Sequence, residues 1–299
     1  YEISECLVGS EMCIRDRRFS IYMDFIRELN DSTLYTFHSH TEFCDGRAQM
    51  EAFARRAVAD GFTHYGFTPH CPLPIESPCN MRQADVPRYF DEVERIRRDH
   101  GDRCRFYAGM EIDYLEGVWG PANPYFATLS LDYALGSVHF IRAQRGEWVD
   151  IDGRFEAFRR KMEEHFHNDI RYVVETFYAT SHRMLDEGHF DILGHYDKIG
   201  LNASLYRPGI EEEQWYRTLA DGLTDHVIAL AGRTAPTSER PLTVEINTKA
   251  YAEHSGRLFP ARRHVAALHE AGVPIIVNSD AHVPALINAS REIVLNLLK

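Results

Sequence analysis

Seven short β-type runs alternating with helical segments predict an α/β fold, and in particular a slightly irregular seven-stranded (β/α) barrel. Two further observations point the same way. Nearly every β-type run closes on a histidine or an acid, as expected if parallel strands deliver their carboxyl ends to one mouth. The chain is also long enough, at 299 residues and 44% hydrophobic, to bury one barrel-sized core. The alternation by itself fits a doubly wound open sheet equally well.

The run LYTFHSH is followed by AQMEAFARRAVADG, where Met50, Phe53, Ala54, Ala57 and Val58 share a helical face and Gly61 is the stop. HYGFTPH leads through a proline-punctuated loop, CPLPIESPCN, into the helical VPRYFDEVERIRRDHG. RFYAGMEID opens into a loop with Gly117, Gly120 and Pro121, then a short helix near Tyr125 to Ser130. DYALGSVHF precedes a long helical stretch from about Phe155 to Gly188, expected to break into two helices. FDILGHYDKIG is followed by a helix from about Ile210 to Gly232, and LTVEIN, the helix PARRHVAALHEAG and the strand PIIVNSD complete the series. The last segment, ASREIVLNLLK, is helical, an ending that also fits a gene truncated at its C-terminus.

Residues 1–17 stand apart from this pattern. LVGSEMCIRDR, Leu7 to Arg17, reads as the translation of a transposon-end sequencing adapter, since EMCIRDR accommodates GAG ATG TGT ATA AGA GAC AGR. A signal peptide would need a sustained apolar core, whereas this stretch carries Glu11, Arg15, Asp16 and Arg17. We therefore expect residues 1–17 to lie outside the fold, residues 18–299 to form a single barrel, and Met23 to be a candidate native start.

Composition excludes several classes of function. A net charge of −12 argues against a nucleic-acid surface, which needs basic stripes to neutralise phosphates. No run of about 18 apolar residues is present to span a membrane. The scattered cysteines (Cys6, Cys13, Cys44, Cys71, Cys79, Cys104) form no CxxC pair and read as reduced thiols of a cytoplasmic protein.

The strand-end residues make up one donor set: His38, His40, Asp45, His70, Glu111, His139, His195, Asp280 and His282. Side chains two apart on a strand point to the same face, so His38 and His40 can reach one metal, as can Asp280 and His282. A single HxH is weak evidence, but two such pairs plus acids and histidines ending the other strands are hard to assign to chance. Glu111 follows an apolar run, where an acid is rare unless paired or metal-bound. Asp45 precedes Gly46, for which a turn is the ordinary explanation. The remaining histidines, among them His64, His100, His182, His226, His254 and His264, read as surface or packing residues. Imidazole and carboxylate donors suit zinc, iron or manganese and point to metal-assisted hydrolysis.

The motifs FHSHTEFCDG, FTPHCPLP, GMEIDY, LGSVHF, DILGHYDKI, VEINT and VNSDAH resemble those of the PHP (polymerase and histidinol phosphatase) superfamily, and its histidinol-phosphatase branch in particular. The likeness runs from about Tyr35 to Pro284. It implies a distorted (β/α)7, TIM-like barrel with a trinuclear metal centre, two to three divalent ions being expected. It further implies that His38, His40, Glu111 and Asp280 hold one metal. Glu111 then bridges to a second held by His139 and His195, and Asp45, His70 and His282 hold the third. Where many relatives carry histidine near Asp45-Gly46, a carboxylate must serve here.

The implied activity is hydrolysis of L-histidinol phosphate to L-histidinol and phosphate, with Asp280, His282 and Glu111 at the reacting centre. Asp280 would orient or deprotonate the nucleophile. Arg142, Lys198 and Arg257 fall in expected mouth loops and are candidate phosphate-binding cations, although a solvated surface charge explains each one singly. Glu76, Asp113 and Glu116 are candidates for the substrate ammonium, and the loop from Cys71 to Met81 is a candidate lid. The partner is thus expected to be a small phosphate monoester. The competing readings are a related phosphoesterase acting on nucleotides or DNA ends, and a non-catalytic metal-binding barrel.

Overall fold

A computed structural model describes residues 34–234, 242–253 and 256–297. The adapter-like residues 1–17, Met23 and His254 lie outside the described residues. The strands are β1 (Tyr35–Thr36), β2 (His64–Phe67), β3 (Arg105–Asp113), β4 (Tyr133–Ser137), β5 (Phe140–Arg142), β6 (Trp148–Asp150), β7 (Ile192–Leu193), β8 (Thr243–Asn247) and β9 (Ile275–Asn278). All except β5 and β6 pair in parallel in the order β1-β2-β3-β4-β7-β8-β9. The sheet curls until its first and last strands meet, giving a distorted (β/α)7 barrel rather than an open sheet. At the mouth, the His40 amide donates to the Ala281 carbonyl at 2.9 Å. At the other end the buried Arg291 guanidinium donates to the carbonyls of Tyr35 and Val277, both at 2.8 Å, so one side chain ties β1 to β9.

The helices are α1 (Met50–Ala59), α2 (Val86–His100), α3 (Pro124–Ala127), α4 (Phe155–His165), α5 (Ile170–Glu187), α6 (Ile199–Tyr206), α7 (Gln214–Thr234), α8 (Lys249–Glu253), α9 (Arg262–Glu270) and α10 (Arg291–Leu297). Local chemistry sets several of their ends. Pro87 sits in the first turn of α2, while Arg97, Arg98 and His100 face the negative end of its dipole. The Asp169 carboxylate caps α5 by accepting from the Tyr172 amide at 3.0 Å, and Gly188, at φ +67°, ends it. Among the described residues no helix is long and apolar enough to cross a membrane.

Inside the barrel Tyr35, Phe37, Tyr107, Tyr133, Leu135, Ile192 and Ile276 pack as one cluster. The Tyr133 ring lies against Gly109, where a Cβ would collide with it, and its hydroxyl donates to the Phe37 carbonyl at 2.9 Å. Two larger apolar clusters lie between the sheet and its helices.

Three elements depart from the sequence expectation. The antiparallel hairpin β5–β6 follows directly on β4. Helix α6 lies in what reads as a loop after β7, and α8 follows β8 at the mouth. The helix expected from about Ile210 to Gly232 is present as α7, Gln214–Thr234, preceded by a short 3-10 turn, Ile210–Glu212.

Candidate metal centre

Strand pairing builds the centre. The β2–β3 ladder continues past Phe67 into an isolated bridge between His70 and Glu111, with the Cys71 amide donating to the Glu111 carbonyl at 2.8 Å. This sets Glu111 beside His70, and the remaining ligand-bearing strands surround it. Glu111 is fully buried. Its Oε2 lies 3.2 Å from His38 Nε2, 3.4 Å from His40 Nε2 and 3.1 Å from His70 Nδ1. Its Oε1 lies 3.0 Å from His195 Nε2 and 3.5 Å from His139 Nε2. One carboxylate therefore faces five imidazoles, each oxygen serving a separate group.

Asp280 lies just past β9 at φ +48°, a left-handed conformation that aspartate tolerates better than most residues. That turn sets its Oδ1 3.2 Å from His40 Nε2 and 3.5 Å from His282 Nδ1. Asp45 reaches His282 Nε2 at 3.3 Å, and His40 Nδ1 and His70 Nε2 at 3.8 Å each. The turn carrying Asp45 folds back closely enough that a Cβ on Gly46 would run into the His40 carbonyl. All nine sequence-expected ligands thus come together. Their donor atoms group within 4.8 Å as His38–His40–Asp280, as Glu111–His139–His195 and as His40–Asp45–His70–His282.

Whether this set suits metal ions can be judged from its unpaired atoms. His38 Nε2, Asp45 Oδ1, His70 Nδ1, Glu111 Oε2 and His139 Nε2 are buried without a hydrogen-bond partner. Buried polar atoms left unpaired are costly, and here the three imidazole nitrogens gather within 3.5 Å of Glu111. Nitrogen and carboxylate oxygen donors of this kind fit zinc, iron or manganese.

A surrounding layer that the sequence reading missed holds these rings in place. Glu245, fully buried on β8, sits with Oε2 2.7 Å from His38 Nδ1, leaving His38 Nε2 turned to Glu111. Asp113 Oδ1 lies 2.5 Å from His139 Nδ1, and Asp113 Oδ2 accepts from Asn80 Nδ2 at 2.7 Å. Asn80 belongs to the expected lid loop, so that loop supports a ligand as well as lining the cavity. An acid within the buried run LTVEIN was a readable signal, the same one that drew attention to Glu111. Lys249, also missed, lies at the mouth with Nζ 3.4 Å from Asp280 Oδ1.

Electrostatics follows from the packing. Burial resists ionising Glu111, but His38, His70 and His139 outweigh it and hold its carboxyl well below the usual range. Burial likewise opposes the Asp280 charge, which Lys249, His38 and His40 stabilise. His40 is driven low by burial and by neighbouring His282 and His70, so its ring stays neutral. Burial disfavours charged His139, yet Asp113 and Glu111 raise it to about 9.

The expected phosphate-binding cations separate. Lys198 lines the cavity, its ammonium 2.8 Å from Asp152 Oδ2 and 4.0 Å from Asp280 Oδ2. Arg142 turns away: it donates to the Gly146 carbonyl at 2.9 Å and stacks 4.4 Å over Trp148 within the β5–β6 hairpin. Arg257 forms a two-point pair with Glu211, at 2.8 and 2.7 Å, outside the cavity lining. Of the acids considered for an ammonium, Asp113 is engaged by His139 and Asn80, Glu116 pairs with Arg183, and Glu76 is exposed on the loop. Of the histidines read as packing residues, His264 is buried against Thr224 and His64 stacks on Tyr107. The cavity over the centre measures about 730 Å³, ample for a small metabolite.

Fold and site together define a (β/α)7 barrel with clustered histidine and carboxylate donors, suited to metal, at the carboxyl ends of its strands. The PHP domain family matches residues 36–249, and the chain belongs to that family. It is similar to the histidinol-phosphatase of Bacillus subtilis, 21% identical over 263 residues, covering 82% of this chain and 92% of that one. A Deinococcus radiodurans protein assigned as a histidinol-phosphatase is 25% identical over 253 residues, 83% of this chain and 85% of its own. Among solved structures, the Lactococcus lactis histidinol phosphate phosphatase, complexed with zinc, L-histidinol and phosphate, aligns with a TM-score of 0.63 at 16% identity. That match covers 89% of this chain and 94% of the other. A Listeria monocytogenes protein assigned as a histidinol phosphatase aligns with a TM-score of 0.73 at 18% identity, covering 87% and 99%.

Proposed function

We propose that the protein is a metal-dependent phosphomonoesterase that hydrolyses L-histidinol phosphate to L-histidinol and phosphate, a cytoplasmic step of histidine biosynthesis. The observation that carries the hydrolytic reading is Glu111, whose two oxygens face separate groups of imidazoles beneath an open cavity. The substrate follows from the relatives in Bacillus subtilis and Lactococcus lactis. Two to three ions of zinc, iron or manganese are assigned to the nine ligands, grouped as the donor clusters suggest. Such ions, when bound, lower the pKa of water and offset charge on phosphoryl oxygens.

The chain's own groups supply the remainder. Asp280, held ionised, accepts a proton from the attacking water as the new P–O bond forms, and the leaving alkoxide takes up a proton from solvent as its bond to phosphorus breaks. Lys198 is half-buried and steadied by Asp152, and it offers its remaining N–H donors to a phosphoryl oxygen. Phe155, Leu201 and Phe259 line the cavity and offer apolar surface to a planar imidazole, and Glu156, which also lines it, is assigned to the ammonium. Phosphate release from a panel of monoesters tests this. L-histidinol phosphate should be the preferred substrate, and a nucleotide turned over as fast would redirect the assignment within the family.

A further inference from the structure

Lys249 has no role in the proposed reaction, yet its position is unusual. Its ammonium lies 3.4 Å from Asp280 Oδ1 and 3.1 Å and 3.4 Å from the two ring nitrogens of His282. Those atoms belong to the metal-binding set. The side chain lines the cavity and is 27% exposed, against 15% for Lys198. Its base is fixed: the Lys249 amide donates to Asn247 Oδ1 at 3.1 Å, and Asn247 in turn donates to Asp280 Oδ2 at 3.1 Å and Glu245 Oε1 at 2.8 Å. A flexible four-carbon stem on a fixed base gives the ammonium a short radius of movement around Asp280.

We propose that Lys249 is a phosphate-binding residue of this site, acting beside Asp280 Oδ1 as Lys198 does beside Oδ2. The inference rests on the phosphomonoesterase reading for its ligand. An ammonium and a divalent cation repel each other, so they do not share the same carboxylate oxygen and imidazole nitrogens. With cations on Asp280 and His282, the nearest favourable partner for Lys249 is an anion in the cavity. A phosphoryl group meets both needs, since three equivalent oxygens can take charge-assisted hydrogen bonds from two lysines at once.

The test is calorimetric titration of inorganic phosphate into zinc-loaded protein, comparing the wild type with Lys249→Met and Lys249→Arg, with metal content measured on every sample. Lys249→Met is expected to weaken phosphate binding about tenfold with metal content and melting temperature unchanged, and Lys249→Arg to stay within about threefold of wild type. In steady state, KM for L-histidinol phosphate should rise by a similar factor while kcat changes less. Lys249→Gln, which keeps a polar tip, carries the comparison if the methionine variant fails to fold. Equal phosphate affinity in wild type and variant overturns the proposal. So does an affinity that falls only in step with metal content, because Lys249 would then be a partner of the metal centre alone. Lysine-dependent phosphate binding by a wild type that hydrolyses no monoester would refute the enzymatic reading and leave this one standing.

Discussion

Glu245 Oε2 lies 2.7 Å from His38 Nδ1, with both side chains fully buried. This contact fixes which face of the His38 ring meets Glu111 and Asp280, so a residue outside the donor groups centred on Glu111 and Asp280 orients one that sits within them. Glu245→Gln keeps the shape but removes the charge. We expect it to weaken metal affinity roughly 10–100-fold while leaving the barrel folded. A chelator-competition titration measures this, and unchanged affinity would show that His38 needs no such support.

Glu111→Gln should be more damaging than any other single ligand change. Five imidazole nitrogens lie within 3.5 Å of its two oxygens, whereas every other ligand serves a smaller group. Turnover is expected to fall on the order of a hundredfold or more, with loss of bound metal. Elemental analysis beside steady-state kinetics checks it; a variant retaining full metal content would argue against a bridging role.

The loop from Cys71 to Met81 has two parts with separable effects. Asn80 supports Asp113 and through it His139, while Ser77 and Cys79 line the cavity. We expect kcat/KM for L-histidinol phosphate to exceed that for p-nitrophenyl phosphate by at least about a hundredfold. Shortening the loop between Leu73 and Ser77 should shrink that ratio without metal loss, whereas Asn80→Ala should slow both substrates together. Kinetics on the two substrates distinguish these outcomes.

A pH prediction arises away from the metal centre. His264 is pushed down to about 4 by burial and by Arg263, so its neutral form contributes stability above the ordinary histidine pKa that is lost as pH falls through 4. Asp197 is pushed up to about 6 by burial, against the opposing charge of Arg257. The folded state therefore binds a proton there that the unfolded chain does not, and stability is gained as pH falls from 6 towards 4. The two slopes oppose each other. Asp197→Asn should be more stable than wild type at pH 7, with the advantage shrinking as pH falls through 6 to 4. Denaturation midpoints of both proteins across that range test it, and a constant offset would contradict it.

Much of this was legible in the sequence, for identifiable reasons. The parallel strands are buried on both faces, so they read as apolar runs, and their terminal ligands mark where they end. The hairpin β5–β6 was not legible because its strands are three residues each and its tip, Ala143 to Glu147, is polar. Helix α6 carries Gly200, Asn202 and Ser204, weak helix formers that tertiary packing overrides. Arg257 sits in a loop as expected, whereas Arg142 ends β5, and partners set the direction of both. For Arg257 that partner is Glu211, 46 residues away, a contact that local pattern does not reveal. Glu245 could have been read by the argument applied to Glu111; nothing in the sequence singled out Lys249.

The most direct test of the central claim is phosphate release from L-histidinol phosphate, followed as the protein is stripped with a chelator and then titrated with zinc. We expect release by the metal-loaded protein, its abolition on stripping, and recovery that saturates at two to three ions per chain. Absence of release, or release undiminished once the metal is exhaustively removed, would contradict the assignment of a metal-dependent phosphomonoesterase.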